Sequence, residues 1–161
     1  MPVTPFHFGP GLLLKSVAPR AFSLTAFAIS QGAIDIESGY HLCRSEWPLH
    51  REIHSLLIAG VVGVLVGSAV WLGGSYLRPS GNSAIQAEVT FRAALMGGLI
   101  GGLSHPLLDA IMHVDLKPFW PFSMANPFLN LIEVQYLHLV CVLSGVAGAI
   151  LLVIRYRRRD A

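Results

Sequence analysis

Long apolar runs separated by short polar stretches dominate the chain and predict membrane-spanning helices. The run Leu56 to Leu77 carries no charge, and Leu137 to Ile154 is apolar apart from His138 and Ser144. Ala93 to Met112 has a similar length, although its second half contains polar residues. A helix needs roughly 20 apolar residues to cross a hydrocarbon core about 30 Å thick. These three runs are therefore predicted to span a bilayer.

The first apolar region, Gly11 to Ile36, is less regular than the other three. Lys15, Pro19 and Arg20 interrupt it, which predicts a short helix near residues 9–18 and a longer helix near residues 21–36. If the region forms a re-entrant hairpin bent at Pro19, His7 returns to the side on which the other histidines are expected. We therefore predict an all-α fold: a single membrane-embedded domain, residues 1–161, with about four spanning helices. Loops are predicted at 78–82 and 117–123.

Composition supports a membrane location and excludes several classes of function. Hydrophobic residues make up 53% of the chain and charged residues only 12%, about half of the roughly 25% usual in soluble domains. The net charge of +2 is too small to indicate a nucleic-acid partner. Cys43 and Cys141 are too far apart in sequence to build a disulfide framework or a thiolate zinc site. The N-terminus lacks a basic segment, so no cleavable signal peptide is expected.

The placement of Lys and Arg predicts the orientation of the spans, because short cytoplasmic loops carry an excess of both. The arginine-rich tail after Ile154 is expected in the cytoplasm, which makes the protein a multi-pass protein of the inner (cytoplasmic) membrane. Counting back places loops 38–55 and 113–130 outside, and loop 78–92 inside. Arg78 and Arg92 flank the inside loop and agree with this orientation, whereas Arg44 and Arg51 count against it.

Ionisable residues collect at one end of the predicted helices. His105, Asp109 and His113 follow an i, i+4, i+8 spacing, which lines them up along one side of a helix. His50 and His54 are predicted to form a second i, i+4 pair in the same way. Ionisable groups at bilayer depth are costly and usually face a bundle interior or a wet cavity. The sequence therefore predicts a polar cluster on one side of the membrane.

Imidazole and carboxylate side chains are suited to Zn²⁺, Mn²⁺ or Fe²⁺. The cluster therefore predicts a site for one or two divalent metal ions, of which zinc is the first candidate. A catalytic metal keeps a coordination position open for water and lowers the pKa of that water. The alternative is structural: a hydrogen-bonded pair of His105 with Asp109, and solvent-satisfied histidines at the membrane interface. The predicted metal ligands are His7, Asp35, His50, His54, His105 and Asp109.

Glu37 and Glu52 are predicted to move the proton during catalysis, as carboxylates not fully engaged by metal. The string His50-Arg-Glu-Ile-His54 is not the zincin motif. In that motif a Glu directly follows the first His, whereas Glu52 comes two residues after His50.

Several short motifs occur in an order that resembles a known family. They are His7 with Gly9, Asp35-Ile-Glu37, His50-Arg51 followed by His54-Ser55, Ser104-His105-Pro-Leu-Leu-Asp109, and Trp120-Pro-Phe-Ser123. This pattern resembles the LexA-regulated inner-membrane proteins described as membrane-bound, metal-dependent hydrolases. That family is thought to be distantly related to zinc-dependent phospholipase C and P1 nuclease.

The chain departs from the family pattern at two places. Ala33-Ile34 stands where the family has a proline, and Glu37 replaces the family's second Asp. The interval from His50 to His54 is also one residue shorter, and the Thr before the second His is missing. Ser104-His105 and Asp109 fit without change.

The resemblance implies a metal-dependent hydrolase, and a site at the membrane surface favours a phospholipid or another lipid-borne ester as substrate. The alternative is a non-enzymatic membrane protein, such as a small metal or proton transporter subunit or an assembly factor, in which the cluster is structural. A transporter needs polar residues through the whole membrane, whereas the run Leu56 to Leu77 contains no ionisable residue.

Overall fold

A computed structural model of the protein describes residues 5–77 and 83–158. Within these ranges every regular element is helical, which confirms the predicted all-α fold. The elements are a 3₁₀ turn at Pro5–His7, α1 (Phe8–Val17), α2 (Leu24–Cys43), a 3₁₀ turn at Glu52–His54, α3 (Leu56–Leu77), α4 (Ser83–Glu88), α5 (Phe91–Met112) and α6 (Val134–Arg157). The predicted loop at 78–82 lies outside the described residues.

Three helices in the described part of the chain, α3, α5 and α6, are long and apolar enough to cross a membrane. They coincide with the three predicted spans. The less regular first region forms α1 and α2, and α2 continues past the predicted end at residue 36 to Cys43. Because α1 has 10 residues, it is only about 15 Å long and is too short to span the bilayer. The N-terminal region is therefore a helical hairpin packed onto three spans.

The turn between α1 and α2 contains Pro19, where the bend was predicted. Lys15 donates hydrogen bonds to the carbonyl oxygens of Pro19 (2.8 Å) and Phe22 (2.9 Å) and forms an ion pair with Glu88. The hydroxyl of Ser23 accepts a hydrogen bond from the Ala26 amide and begins α2 as an N-cap. This turn therefore lies at the α4 end of the bundle, and α1 returns His7 to the opposite end.

Helix α5 is packed between α2 and α3, and glycines permit the close approach on both sides. A Cβ at Gly98 or Gly102 would collide with the backbone of α3, and one at Gly97 or Gly101 would collide with the backbone of α2 or of its N-cap residue Ser23. Small residues at such spacing are usual where membrane helices approach closely. This close approach brings the polar residues of three helices together.

Candidate metal centre

Asp109 lies at the centre of a buried group of imidazoles. His105 Nε2 on α5 is 3.1 Å from Asp109 Oδ2, and Nε2 of His113, the residue directly after α5, is 3.9 Å from Asp109 Oδ1. His7 Nε2 lies 3.5 Å from Oδ1, and His54 Nε2 lies 4.0 Å from Oδ2. Each carboxylate oxygen of Asp109 therefore faces two histidines, one from α5 or its C-cap and one from another element.

Helix α2 adds a second carboxylate to this group. Asp35 Oδ1 is 3.3 Å from His105 Nε2, on the side of the imidazole that also faces Asp109. The side chain of Asp35 is 12% exposed, against 4% for Asp109. Asp35 is therefore the more accessible carboxylate of the pair.

The Nδ1 atoms of three histidines contact oxygen acceptors outside the group. The pairs are His105 with Gln31 Oε1 (2.5 Å), His54 with Glu37 Oε2 (2.9 Å) and His50 with Asp115 (3.1 Å). Each acceptor favours the tautomer that carries its proton on Nδ1, which leaves the Nε2 lone pair for another partner. Metal-binding histidines are oriented by such acceptors in the same way.

Glu37 has a structural role besides orienting His54. Its two carboxylate oxygens accept hydrogen bonds from the backbone amides of Arg51 and Ile53, both at 3.0 Å. Burial would raise the pKa of the Glu37 carboxyl, but the hydrogen bonds from His54 and these amides hold it below its ordinary value. Glu37 therefore stays ionised and fixes the segment that carries His54.

Asp115 supports the neighbouring part of the same segment. Its Oδ2 accepts the backbone amides of Leu49 (3.0 Å) and His50 (3.1 Å), in addition to the contact with the His50 ring. Burial would raise the pKa of Asp115, but these interactions with His50 lower it overall. The segment before α3 is thus held by two carboxylates, one from α2 and one from the chain after α5.

His7 and His50, two histidines outside the spanning helices, are adapted to the neutral form. Burial lowers the pKa of His7 to about 4, although Asp109 opposes the shift. Burial, and next the nearby His54, lower the pKa of His50 as well, against the effect of Asp115. A metal ion requires the neutral imidazole with a free lone pair. These two side chains therefore favour the protonation state that binds a cation.

Several polar atoms of the group are buried and have no hydrogen-bond partner in the described part of the chain. They are His7 Nε2, Asp35 Oδ1, His54 Nε2, His105 Nε2 and Asp109 Oδ1. Buried polar atoms left unpaired are costly, at roughly 1–3 kcal/mol each. Lone pairs that face one another also repel. A cation among them would remove both penalties.

Three overlapping sets of donors have all their ligand atoms within 4.8 Å of one another. The sets are His7, His105 and Asp109; Asp35, His54 and His105; and His50, Asp109 and His113. The structure thus brings together all six residues predicted as ligands, including His7, and it adds His113. Their role as metal ligands stays a prediction.

One sequence-based expectation was wrong in its local structure. His50 and His54 do not share a helix: His54 ends a 3₁₀ turn and His50 lies before it. The helix was expected from spacing alone, but the backbone amides of this segment bond to Glu37 and Asp115 instead of to helix carbonyls. Glu52 is exposed and belongs to none of the three donor sets of the described residues. Its predicted part in proton transfer stays a prediction.

Sequence reasoning missed the supporting residues Gln31 and Asp115. In the sequence, each is only a polar residue within or directly after an apolar run. Such a position does not show which histidine the residue contacts. His41 and His138 lie outside the three donor sets. His41 pairs with Glu46 at 2.7 Å, and the His138 ring stacks on Phe6 with 4.2 Å between the ring centroids.

Comparison with known proteins identifies a family to which the chain is similar. The family model described as YdjM inner membrane protein matches residues 12–160, most of the chain. No curated protein and no solved structure matches significantly. The relationship to zinc-dependent phospholipase C and P1 nuclease therefore stays a prediction. Together with the three apolar helices, the family match supports a multi-pass protein of the inner membrane. The chain belongs to the YdjM inner membrane protein family.

Proposed function

We propose that the protein is a membrane-embedded, metal-dependent hydrolase. The observation that carries this proposal is the convergence of buried, unpartnered nitrogen and oxygen atoms around Asp109. A structural ion pair would satisfy His105 and Asp109, but it would leave the facing atoms of His7 and His54 without partners. Divalent cations in the cluster would supply those partners.

The spacing of the donor atoms supports this interpretation. Zinc binds imidazole nitrogen and carboxylate oxygen at about 2.0–2.1 Å, so neighbouring ligand atoms in a tetrahedral site are roughly 3.3 Å apart. The distances from His105 Nε2 to Asp109 Oδ2 (3.1 Å) and to Asp35 Oδ1 (3.3 Å) are close to that value. The donors are borderline to hard, as Zn²⁺ prefers, with Mn²⁺ or Fe²⁺ as alternatives.

Hydrolysis at such a centre needs an activated water and stabilisation of negative charge, and a bound divalent ion supplies both. In the proposed reaction, the water oxygen forms a bond to the phosphorus or carbonyl carbon of the ester. The ester bond breaks with its electron pair going to the leaving oxygen. The second oxygen of Asp35, the more exposed carboxylate, takes the proton from water and passes it to the leaving oxygen.

A lipid-borne ester is the substrate class that the surroundings favour. An apolar cavity of about 490 Å³ lies between α1, α2 and α6, and Phe6, Phe8 and Gly9 on either side of His7 contribute to its wall. Apolar chains are the ligands for which such a surface is suited. A phospholipid would place its chains against the bundle and its ester near the cluster.

Metal analysis and ester hydrolysis test the proposal together. The untagged protein, purified in detergent, is expected to hold at least one Zn, Mn or Fe ion per chain by mass spectrometry. It should hydrolyse phospholipid in mixed micelles faster than a soluble nitrophenyl ester. A His105→Ala/Asp109→Ala variant should lose both the metal and the activity. An His41→Ala variant, which changes a histidine outside the donor sets, should retain both.

The same measurements separate the hydrolase from its non-enzymatic rival. Bound metal without hydrolysis of any ester would favour a metal-handling membrane protein over an enzyme. No bound metal, even after addition of Zn²⁺ or Mn²⁺ to a folded wild-type protein, would overturn the proposal. Folding is checked for each variant by size-exclusion chromatography and circular dichroism.

A further inference from the structure

The donor atoms around Asp109 are more numerous than one zinc ion can use. Asp35, His54 and His105 form one donor set, and with Asp109 Oδ2, which lies 3.1 Å from His105 Nε2, they supply the four ligands of a tetrahedral site. Three other histidines of the donor sets are not accounted for by that ion. These are His7, His50 and His113.

His50 and His113 form a separate group with Asp109. Their ring centroids are 4.2 Å apart, and the ligand atoms of all three residues lie within 4.8 Å of one another. Asp115 contacts the Nδ1 atom of His50 at 3.1 Å, so the Nε2 atom of His50 is the one available to a cation. His113 Nε2 faces Asp109 Oδ1 at 3.9 Å.

Asp109 takes part in both groups through its two oxygens. Oδ2 contacts His105 and His54, whereas Oδ1 lies 3.5 Å from His7 Nε2 and 3.9 Å from His113 Nε2. A carboxylate that presents one oxygen to each of two groups of imidazoles has the arrangement of a bridging ligand.

We propose a second metal ion, bound by His50, Asp109 and His113, so that Asp109 bridges a dinuclear centre. This inference rests on the proposed hydrolase and deepens it. Two ions about 3.5–4 Å apart stabilise the attacking and the leaving oxygen of a displacement at the same time. The second ion has only three protein ligands, which leaves a position for water or for the ester oxygen.

Exposure supports a difference in role between the two ions. The side chains of His54 and His105 are 0% and 1% exposed, whereas that of His113 is 20% exposed. The second position is therefore the one that meets the outside of the bundle, at the end of α5. Substrate would reach the centre there, and the first ion would remain enclosed.

Metal stoichiometry in the full-length, detergent-purified protein tests this assignment. Wild-type protein loaded with Zn²⁺ is expected to hold two ions per chain, and His113→Ala should hold one. His41→Ala, the matched control, should hold two. After loading with Mn²⁺, wild-type protein should give the spectrum of a coupled pair in electron paramagnetic resonance, and His113→Ala the six-line signal of an isolated ion.

The outcomes distinguish this inference from the proposed function. One ion per chain in wild type and in His113→Ala, with an isolated Mn²⁺ signal in both, overturns the second site and leaves a mononuclear hydrolase. No ion in wild type overturns both. Because the wild-type spectrum alone reports coupling, the test holds even if His113→Ala does not fold. An Asp115→Asn variant, which keeps all ligands, should bind the second ion more weakly than wild type.

Discussion

Glu37 shows how one carboxylate supports a cluster without joining it. It accepts the Nδ1 proton of His54 at 2.9 Å and two backbone amides, those of Arg51 and Ile53. We therefore expect Glu37→Gln to lower metal affinity by about 10–100-fold, the usual effect of changing a residue that orients a metal-binding histidine. The glutamine side chain keeps one acceptor oxygen, but its NH₂ group faces a backbone N–H that a carboxylate oxygen of Glu37 accepts in the wild type. Competition with a chelator of known affinity measures the change.

Glu52→Gln is the matched control, since Glu52 is exposed and lies in the same short segment. It should leave metal affinity and activity at the wild-type level. If Glu37→Gln had no effect on metal affinity, the positioning role of Glu37 would be wrong. Loss of activity in Glu52→Gln would support the predicted part of Glu52 in proton transfer.

Spacing along the sequence predicted some residues of the site but not others. His105 and Asp109 followed from an i, i+4 pattern, because a helix turns such residues to one side whatever surrounds it. Gln31 did not, since an amide in an apolar run gives no sign that an imidazole will contact its oxygen at 2.5 Å. That contact depends on the packing of α2 against α5, which no local pattern encodes.

At the scale of elements, the position of α5 depends on glycines whose neighbours are backbone atoms. A Cβ at Gly98 would collide with the carbonyl oxygen of Gly63, and a backbone cannot move aside as the end of a side chain can. We expect Gly98→Ala to destabilise the protein by about 1–3 kcal/mol, the usual cost of overpacking. Thermal unfolding in one detergent, with the same metal content, measures this change.

Gly73 provides the control within α3, because a Cβ there would meet no atom within 4 Å. Gly73→Ala should be neutral or slightly stabilising, since alanine favours the helix over glycine. Equal unfolding temperatures for the Gly98 and Gly73 variants would contradict the close packing of α3 on α5.

The spans themselves were predictable, whereas the segment before α3 was not. Long uncharged runs such as Leu56–Leu77 have few alternatives to a helix in a membrane, because each backbone amide must be satisfied internally. The histidine pair at 50 and 54 had the spacing of a helix, but carboxylates from distant parts of the chain satisfy its backbone amides. Where side chains replace the helix hydrogen bonds, periodicity is a poor guide.

At the scale of the whole molecule, the side of the membrane that carries the cluster decides which leaflet supplies the substrate. Arg155 and Arg157 end α6 at the opposite end of the bundle from His7, because α6 runs parallel to α1, with Gly9 against Cys141 and Leu12 against Gly148. Positive residues favour the cytoplasmic side. The proposed metal centre is therefore predicted to face the periplasm.

Cys43 reports this orientation without any engineered residue. It is exposed at the end of α2 nearest the cluster, whereas Cys141 is buried. A membrane-impermeant maleimide should label the wild-type protein in spheroplasts and leave Cys43→Ser unlabelled. Labelling only in inverted vesicles would place the centre in the cytoplasm. Such a result would mean that Arg44 and Arg51, close to Cys43 in sequence, outweigh the arginines of the C-terminal tail. The substrate would then come from the inner leaflet, with the same residues forming the site.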